Sequence, residues 1–482
     1  MSQLKKGLDE GRFLCILEFI PRQSPSLIAE FQHVLSRGHL AGWPVAAALA
    51  DRVGAHSDQS PLQCSDALGC EAATLLHFSG KDRERDDLFR LLQQMRERGL
   101  QQLLLITGDR LPGHQPGRAP VRYLESVPAL KMVREACPDW LLGAALGPFK
   151  YREEEGAAQY LKAEKKLRAG ADFLTLQLGY DADKHREAQL WMSSQPRPRP
   201  MLACVMALTV RRAAHLQDVP GIVITESMRE LLAREAQVSP AYARARSLER
   251  LALQITGLQL MGYTGVHVSG VHTLDELLLL EQAISEQRGC VSSLADWDER
   301  WLASWQMPGV PPVHFAPETG TWERGQSTVT ATHRERLRYT LLSTVHEQFF
   351  NRTGWLSKAL GWSVTRPIWR SGMAASALHA VERAVKRPLV GCDTCGQCRL
   401  QDTLYVCPET CPKGLANGPC GGTRLNRCEF GDRECIHGVK YRIAKSANQL
   451  PGLAQTLIPC VDLGNRHRSS WPEWFEPQET KP

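Results

Sequence analysis

Eight cysteines stand between positions 392 and 435 of a 482-residue chain that has 15 in all. They are Cys392, Cys395, Cys398, Cys407, Cys411, Cys420, Cys428 and Cys435, and they open as C-x2-C-x2-C. A secreted protein could use such a cluster as a disulfide framework. Here the apolar run behind Lys5 and Lys6 is short, broken by Glu18 and followed by no small-residue cleavage site, so no export signal is expected. In a reducing compartment, cysteines two residues apart can face one ion together, and eight thiolates suffice for two four-coordinate sites. The triplet followed by Cys407-Pro408 resembles the ferredoxin cluster run, with a longer last gap, and favours iron–sulfur over zinc. His437 is a possible further ligand, though a lone histidine there reads more simply as a surface residue.

A second set of polar residues interrupts apolar runs. Glu18 stands inside CILEFIP, His77 in LLHFSGKDR, Asp109 at the end of LLLITGD, Gln177 in DFLTLQLGYD, and His267 in GVHVS. A carboxylate between Leu17 and Phe19 is partly desolvated, which suits a general acid. Gly108 lets the backbone approach a ligand beside Asp109. Singly, each of these has an equally good explanation as a cap, a loop residue or a core histidine. They acquire meaning together only if the fold gathers them.

The elements that could do so are short β-rich runs alternating with amphipathic helical stretches. Strands are expected over 13–19, 44–49, 72–78, 103–107, 141–146, 172–177, 201–206 and 264–268, with helices over 84–98, 153–169, 242–261 and 274–287 among them. Eight strand–helix units in about 290 residues match a (β/α)8 TIM barrel, with an open doubly wound sheet as the alternative. A barrel draws its chemistry from the C-terminal ends of its strands, where these polar residues fall. No P-loop, G-x-S-x-G elbow or H-E-x-x-H motif suggests another reaction.

Past residue 290 the texture changes. Nine of the 12 tryptophans lie there, which fits packing and interfaces better than cofactor stacking. Residues 307–317 are proline-rich and read as a linker, helices are expected over 333–350 and 374–385, and the tail beyond 448 is irregular. The expected division is a barrel over 1–290, a Trp-rich helical connector over 291–386, and a small cysteine-rich metal-binding module with its tail over 387–482. With 43% hydrophobic and 23% charged residues the chain has the profile of a globular protein. No apolar run approaches the ~18 residues of a spanning helix, so no membrane is expected. A net charge of +6 is too dilute to suggest nucleic acid. A cytoplasmic location is the expectation.

On these residues the first 290 positions resemble methylenetetrahydrofolate reductase, a flavin-dependent (β/α)8-barrel family. The matching pieces are LEFIP around Glu18, HFSGKDR around His77, ITGD around Asp109, YLKAEKKLRAGADFLTLQLGYD, and DVPGI at 218–222. The K-x-x-A-G-A-D…T-x-Q stretch is the most specific. The remainder resembles the C-terminal module fused to, or partnered with, one branch of these reductases, through CDTCGQCRLQDTLYVCPETCPKGLANGPCGG and IPCVDLGNRHRSSW.

The resemblance implies reduction of 5,10-methylenetetrahydrofolate to 5-methyltetrahydrofolate with FAD, or FMN. Glu18 would be the acid that helps open the imidazolidine ring, and Asp109 would sit beside pterin and flavin. Gln177 would hydrogen-bond the pterin edge. His77, Thr107, Gly108, Asp109, Lys162, Lys165 and Lys166 match flavin-binding positions, the lysines near the cofactor's phosphates. On spacing alone those lysines are an ordinary solvated helix face. The module is implied to hold metal, [4Fe–4S] more than zinc, for electron delivery or for structure. The electron donor would be NAD(P)H or a redox partner protein, and a homo-oligomer is compatible with the sequence.

The chain also departs from the family pattern. Thr107 stands where the common form has arginine, Ala50 where many members carry threonine, and VMALTVRR at 205–212 lacks the aromatic that stacks on substrate or nicotinamide in the NADH-using branch. These departures weaken direct reduction by NAD(P)H. Two other readings stay open on the sequence: an idle barrel serving as a metal-bearing partner in a methyl-transfer or redox complex, and a flavin-free folate-dependent methyltransferase.

Overall fold

The computed structural model describes residues 3–21, 24–53, 59–69, 74–111, 123–305, 329–351 and 354–476, and the backbone alone at 314–316 and 321–323. Eight parallel strands carry the N-terminal half: β1 Leu14–Phe19, β2 Trp43–Leu49, β3 Thr74–Ser79, β4 Gln102–Ile106, β5 Leu141–Leu146, β6 Phe173–Leu176, β7 Met201–Met206 and β8 Gly265–Ser269. Each pairs with the next, and β8 returns to β1 in the register Leu14↔Gly265 through Glu18↔Ser269. That last pairing closes a (β/α)8 TIM barrel and excludes the open sheet. A two-residue strand, His39–Leu40, runs antiparallel to the start of β2, an addition the sequence pattern does not announce.

The strands are nearly continuous apolar runs because both of their faces are covered. One alternate set, such as Cys15, Leu17, Leu103 and Leu105, packs under the helices. The other set, including Leu14, Ile16, Ala46, Leu75 and Phe173, fills the barrel together with Leu4 and Leu8 of the helix Gln3–Asp9. Gly143 makes room for Phe173, whose ring would lie 2.3 Å from a Cβ at that position. The period of two then decides which later residues face inward. Glu18 follows Leu14 and Ile16, His77 follows Leu75, Gln177 follows Phe173, and His267 follows Gly265. The interior is thus apolar toward the N-terminal ends and polar toward the C-terminal ends.

Helix Leu294–Trp305 packs on helix Pro240–Leu260 and buries Trp297, Trp301 and Trp305, so barrel packing continues past residue 290. Trp297 donates its indole N–H to the Leu253 carbonyl at 2.6 Å, and Trp301 donates to Tyr180 at 3.2 Å. Trp355 and Trp362 face solvent instead. Helices His333–Phe349 and Gly372–Val390 match the two expected beyond the barrel. The second is longer than expected because Pro388 is accommodated inside its C-terminal part, and Gly391, at φ +64°, ends it directly before Cys392. Of the expected linker at 307–317 only 314–316 is described, as a strand antiparallel to 321–323, and residues 72–73 of the third expected strand also lie outside the described residues. The tail is less irregular than expected, with short helices Leu450–Gln455 and Trp471–Phe475 that each have a proline in the first turn. Among the described residues no helix is long and apolar enough to cross a membrane.

The cysteine-rich module is seated on the barrel through a buried polar seam. Glu125, the residue before helix Ser126–Ala136, lies 3.0 Å from Lys162 of helix Glu153–Arg168. It also accepts hydrogen bonds from the backbone N–H of Ala416 at 3.0 Å, and from the backbone N–H and side-chain amide of Asn417 at 3.2 and 3.1 Å. Burial by itself would raise the Glu125 pKa, but Lys162 and these donors hold it below the usual carboxylate value. Lys162 donates to the Gly418 carbonyl at 3.0 Å, Lys150 to Gly421 at 2.7 Å, and Lys440 of helix Ile436–Ser446 to Ala416 at 2.8 Å. Removing one member of such a pair leaves the other charged and dry. Glu125→Ala should therefore cost about 3–5 kcal/mol. Calorimetry of that variant should show a new low-temperature transition as the module separates from the barrel, whereas an unshifted single transition would show that the seam contributes little.

Candidate functional site

At the C-terminal end of the barrel the register sets Glu18 opposite Ser269, and the Ser269 hydroxyl donates to Glu18 Oε2. Below them the rings of His77 and His267 meet edge-on, with centroids 5.4 Å apart. Burial pushes both imidazoles below their ordinary value. The two rings also disfavour each other's charge at His77, while Glu18 partly opposes the shift at His267. Both are neutral near pH 7. Neither ring nitrogen of His267 has a hydrogen-bond partner, nor do Nε2 of His77 and Oγ1 of Thr175 on β6. Buried polar atoms without protein partners call for water or a ligand to supply the missing bonds.

Asp109 lies just beyond β4, after Gly108 at φ +87°. A Cβ at Gly108 would lie 2.3 Å from Ser79 Oγ and 2.9 Å from Lys81 Cβ, so the position needs glycine on two counts. Lys81 reaches Asp109 Oδ1 at 2.6 Å; the lysine side chain is 3% exposed and the aspartate 55%. Behind them Asp51 accepts from the Ser79 N–H at 2.7 Å and pairs with Arg83. Thr107 is buried, and its hydroxyl serves the backbone N–H and hydroxyl of Ser126 at 3.3 and 3.4 Å. Gln177 is half-buried and accepts from the Leu178 N–H at 2.9 Å.

Lys162, Lys165 and Lys166 do not form a solvated helix face. They are buried in the seam, where Lys162 holds Glu125 and Gly418, Lys165 reaches Asn417 at 3.4 Å, and Lys166 donates to the Ala145 carbonyl. Protein acceptors hold their ammonium groups, because the module covers this helix. His437 is likewise buried, not on the surface. It sits among Lys440, Lys162 and Lys165, which, after burial itself, hold it neutral. Burial, opposed in part by Glu125, lowers Lys165 to about 8, Lys166 to about 7 and Lys440 to about 7. Lys162, Lys165, Lys166 and Lys440 share two carboxylates, Glu125 and Asp402, an imbalance an anionic group would offset.

The eight cysteines between 392 and 435 are all free thiols. Those of the module fall into two sets of four. Cys392, Cys395, Cys398 and Cys407 line one small cavity together with Glu382 and Lys386. Cys411, Cys420, Cys428 and Cys435 form the second, each within electrostatic reach of others of its set. Burial raises Cys395 to about 11 and Cys411 to about 12. Among the described residues, no three His, Cys, Asp or Glu side chains are drawn close enough to hold a metal ion as they stand. The donor chemistry still fits a soft metal: four thiols per set, with metal–sulfur bonds to offset the cost of ionising them. The module also reaches the barrel mouth. Lys413, between Cys411 and Cys420, pairs with Glu429 at 2.8 Å and donates to the Gly108 carbonyl at 2.7 Å. A Cβ on Gly221, in the DVPGI segment, would lie 2.4 Å from the Gly421 carbonyl oxygen.

Sequence reasoning missed Ser269, Lys81, Asp51, Glu125 and Lys413. Lys81 was available two residues past β3, in the same SGKDR run as His77. Glu125 carried no such signal, since its partners lie about 290 residues away.

Comparison with known proteins adds the following. Residues 3–282 match the family described as methylenetetrahydrofolate reductase, and residues 373–463 match the one described as methylene-tetrahydrofolate reductase C terminal. No curated protein gives a significant match. Among solved structures, a 2,3-dimethylmalate lyase of the PEP mutase/isocitrate lyase superfamily is similar at 12% identity and a TM-score of 0.35, over 64% of this chain and 90% of that one.

The buried lysines yield a test in pH. Lys440 titrates near 7 in the fold and near the ordinary ~10.4 when unfolded, so between those values the unfolded chain holds a proton that the folded chain has shed. The stability of the wild type relative to Lys440→Met should therefore rise as pH climbs through that window and fall as it drops toward 7. Chemical denaturation of both proteins at a series of pH values would measure it. A pH-independent difference would mean that Lys440 stays charged in its site.

Proposed function

The chain belongs to the methylenetetrahydrofolate reductase family, and from that premise we propose that it reduces 5,10-methylenetetrahydrofolate to 5-methyltetrahydrofolate with bound FAD or FMN, fed with electrons through metal held by the module's thiols. One observation carries the reading: the thiol-bearing segment touches the barrel at the polar strand ends, through Lys413 and the Gly108 carbonyl, next to Asp109.

A bound flavin would supply the hydride that the substrate carbon accepts. Glu18 would hold the proton that the departing ring nitrogen takes, and Ser269 fixes the carboxyl group by its hydrogen bond. His77 and His267, neutral and with unpaired nitrogens, can donate or accept hydrogen bonds toward a polar heterocycle without adding charge. Asp109, exposed beside buried Lys81, would face pterin and flavin, and Gln177 would meet the pterin edge. The cation surplus of Lys162, Lys165, Lys166 and Lys440 supports an anionic cofactor nearby. Cys392, Cys395, Cys398 and Cys407 would hold one centre and Cys411, Cys420, Cys428 and Cys435 the other. As [4Fe–4S] these would pass single electrons, and as zinc they would hold structure only.

Glu18→Gln should keep a flavin absorbance near 450 nm and lose about 10²-fold or more in folate reduction, since the amide has no proton to give. Near-normal turnover would remove Glu18 from the chemistry. Replacing Cys395 and Cys398 with Ser should abolish donor-linked turnover and lower the iron and acid-labile sulfide of anaerobically purified protein, while chemically reduced flavin still converts folate. Rapid flavin reduction by NADH alone, unaltered in the double variant, would make the module structural.

A further inference from the structure

Residues 333–390 carry ten Lys or Arg against three Asp or Glu, a surplus of seven, whereas the whole chain has a surplus of six. The connector's positive charge is confined to this helical stretch, since 291–332 carries two Lys or Arg against five Asp or Glu. The helical stretch also leaves large apolar side chains in solvent. Helix His333–Phe349 has no buried residue, and it repeats Leu337, Leu341, Val345 and Phe349 at every fourth position, all exposed. Trp355 and Met373, at the starts of the next two long helices, are 77% and 92% exposed. Single exposed apolar residues need no explanation, but rows of them on successive helices mark a contact surface.

Helix Gly372–Val390 carries an exposed row of its own, Met373, Val381, Val385 and Leu389, and lies against the first thiol set. On its inner side Lys386 lies 3.5 Å from Cys398 Sγ and 2.6 Å from Glu382, and both line the cavity with the four cysteines. On its outer side Arg383 and Arg387 border an open groove floored by Ala380, Ala384 and Pro388. One helix, about 10–12 Å across, separates the groove from the thiols. We propose that this basic, apolar connector is the docking face for a small acidic one-electron carrier protein, which delivers electrons to the first thiol set. The proposal rests on the functional reading above and names its donor.

Charge selects that occupant. A second copy of this chain would bring the same positive surface against itself, and like charges across an interface cost several kcal/mol. An acidic carrier meets the arginines favourably and covers the apolar rows. The electron count closes: two carriers are each oxidised by one electron, and methylenetetrahydrofolate gains two electrons and two protons in becoming the methyl compound.

The test uses full-length protein with its cofactors, and a plant-type [2Fe–2S] ferredoxin, reduced stoichiometrically, as the probe. Flavin bleaching should be fast at low salt and fall steeply with added salt. In Arg383→Glu/Arg387→Glu, and separately in Val381→Asp, it should drop by about 10-fold or more at low salt, while direct reduction by dithionite stays unchanged. Equal rates in wild type and variants, or no transfer to the wild type, would overturn the docking face alone. Self-association of the wild type, or its binding to phosphatidylglycerol vesicles, if lost in the same variants, would give the face to a second copy or to a membrane and overturn the proposal. Purified protein without flavin or iron would instead defeat the functional reading, and the docking face with it.

Discussion

The carboxylate of Glu125 is the constraint on which the relation between barrel and module depends. It is buried at the start of a barrel helix, where a bare negative charge would cost several kcal/mol. Lys162 supplies the countercharge, but the remaining lone pairs are satisfied by donors at Ala416 and Asn417, far along the chain. The barrel cannot keep Glu125 dry and ionised without the module. Once the 416–418 loop is held there, Lys413 and the second thiol set have little freedom relative to Gly108. Position at the mouth follows from electrostatics at the seam.

The seam also explains why so many lysines can be buried together. Lys150, Lys162, Lys166 and Lys440 each donate to a main-chain carbonyl, so backbone dipoles, not only carboxylates, solvate them. Carbonyl oxygens satisfy the donors but cannot cancel the net charge, and burial pulls Lys150, Lys166 and Lys440 toward neutrality. An anion bound against them would hold their protons in place. Ligand binding and the rigidity of the seam are then coupled through the same ammonium groups.

The fold was legible because a barrel strand with both faces buried is a compact apolar run, and all eight were visible as such. The inward positions of Glu18, His77, Gln177 and His267 follow from alternation along those runs. What alternation cannot give is pairing across distance. Ser269 faces Glu18 only after β8 has closed on β1, and Lys81 meets Asp109 only because β3 and β4 are neighbours. The lysines of helix Glu153–Arg168 were misjudged as solvated for the same reason: nothing near them in sequence tells that a loop at 416–421 lies over them. Helix Gly372–Val390 outran its expected end because Pro388 is carried inside it, with Lys386 and Val390 packed inward, until Gly391 in the left-handed region ends it.

The polar end of the barrel is where the fold leaves its own requirements unmet. The lower interior is closed by leucines, Phe173 and the N-terminal helix, so water is kept from below. Above it stand neutral His77 and His267 with ring nitrogens unsatisfied, each costing roughly 1–3 kcal/mol while it lacks a partner. A heterocycle with donors and acceptors along one edge would recover that cost on binding, and would do so beside Glu18 without having to reorganise the site. Specificity then comes from a deficit the scaffold maintains, and a purely apolar guest could not make it good.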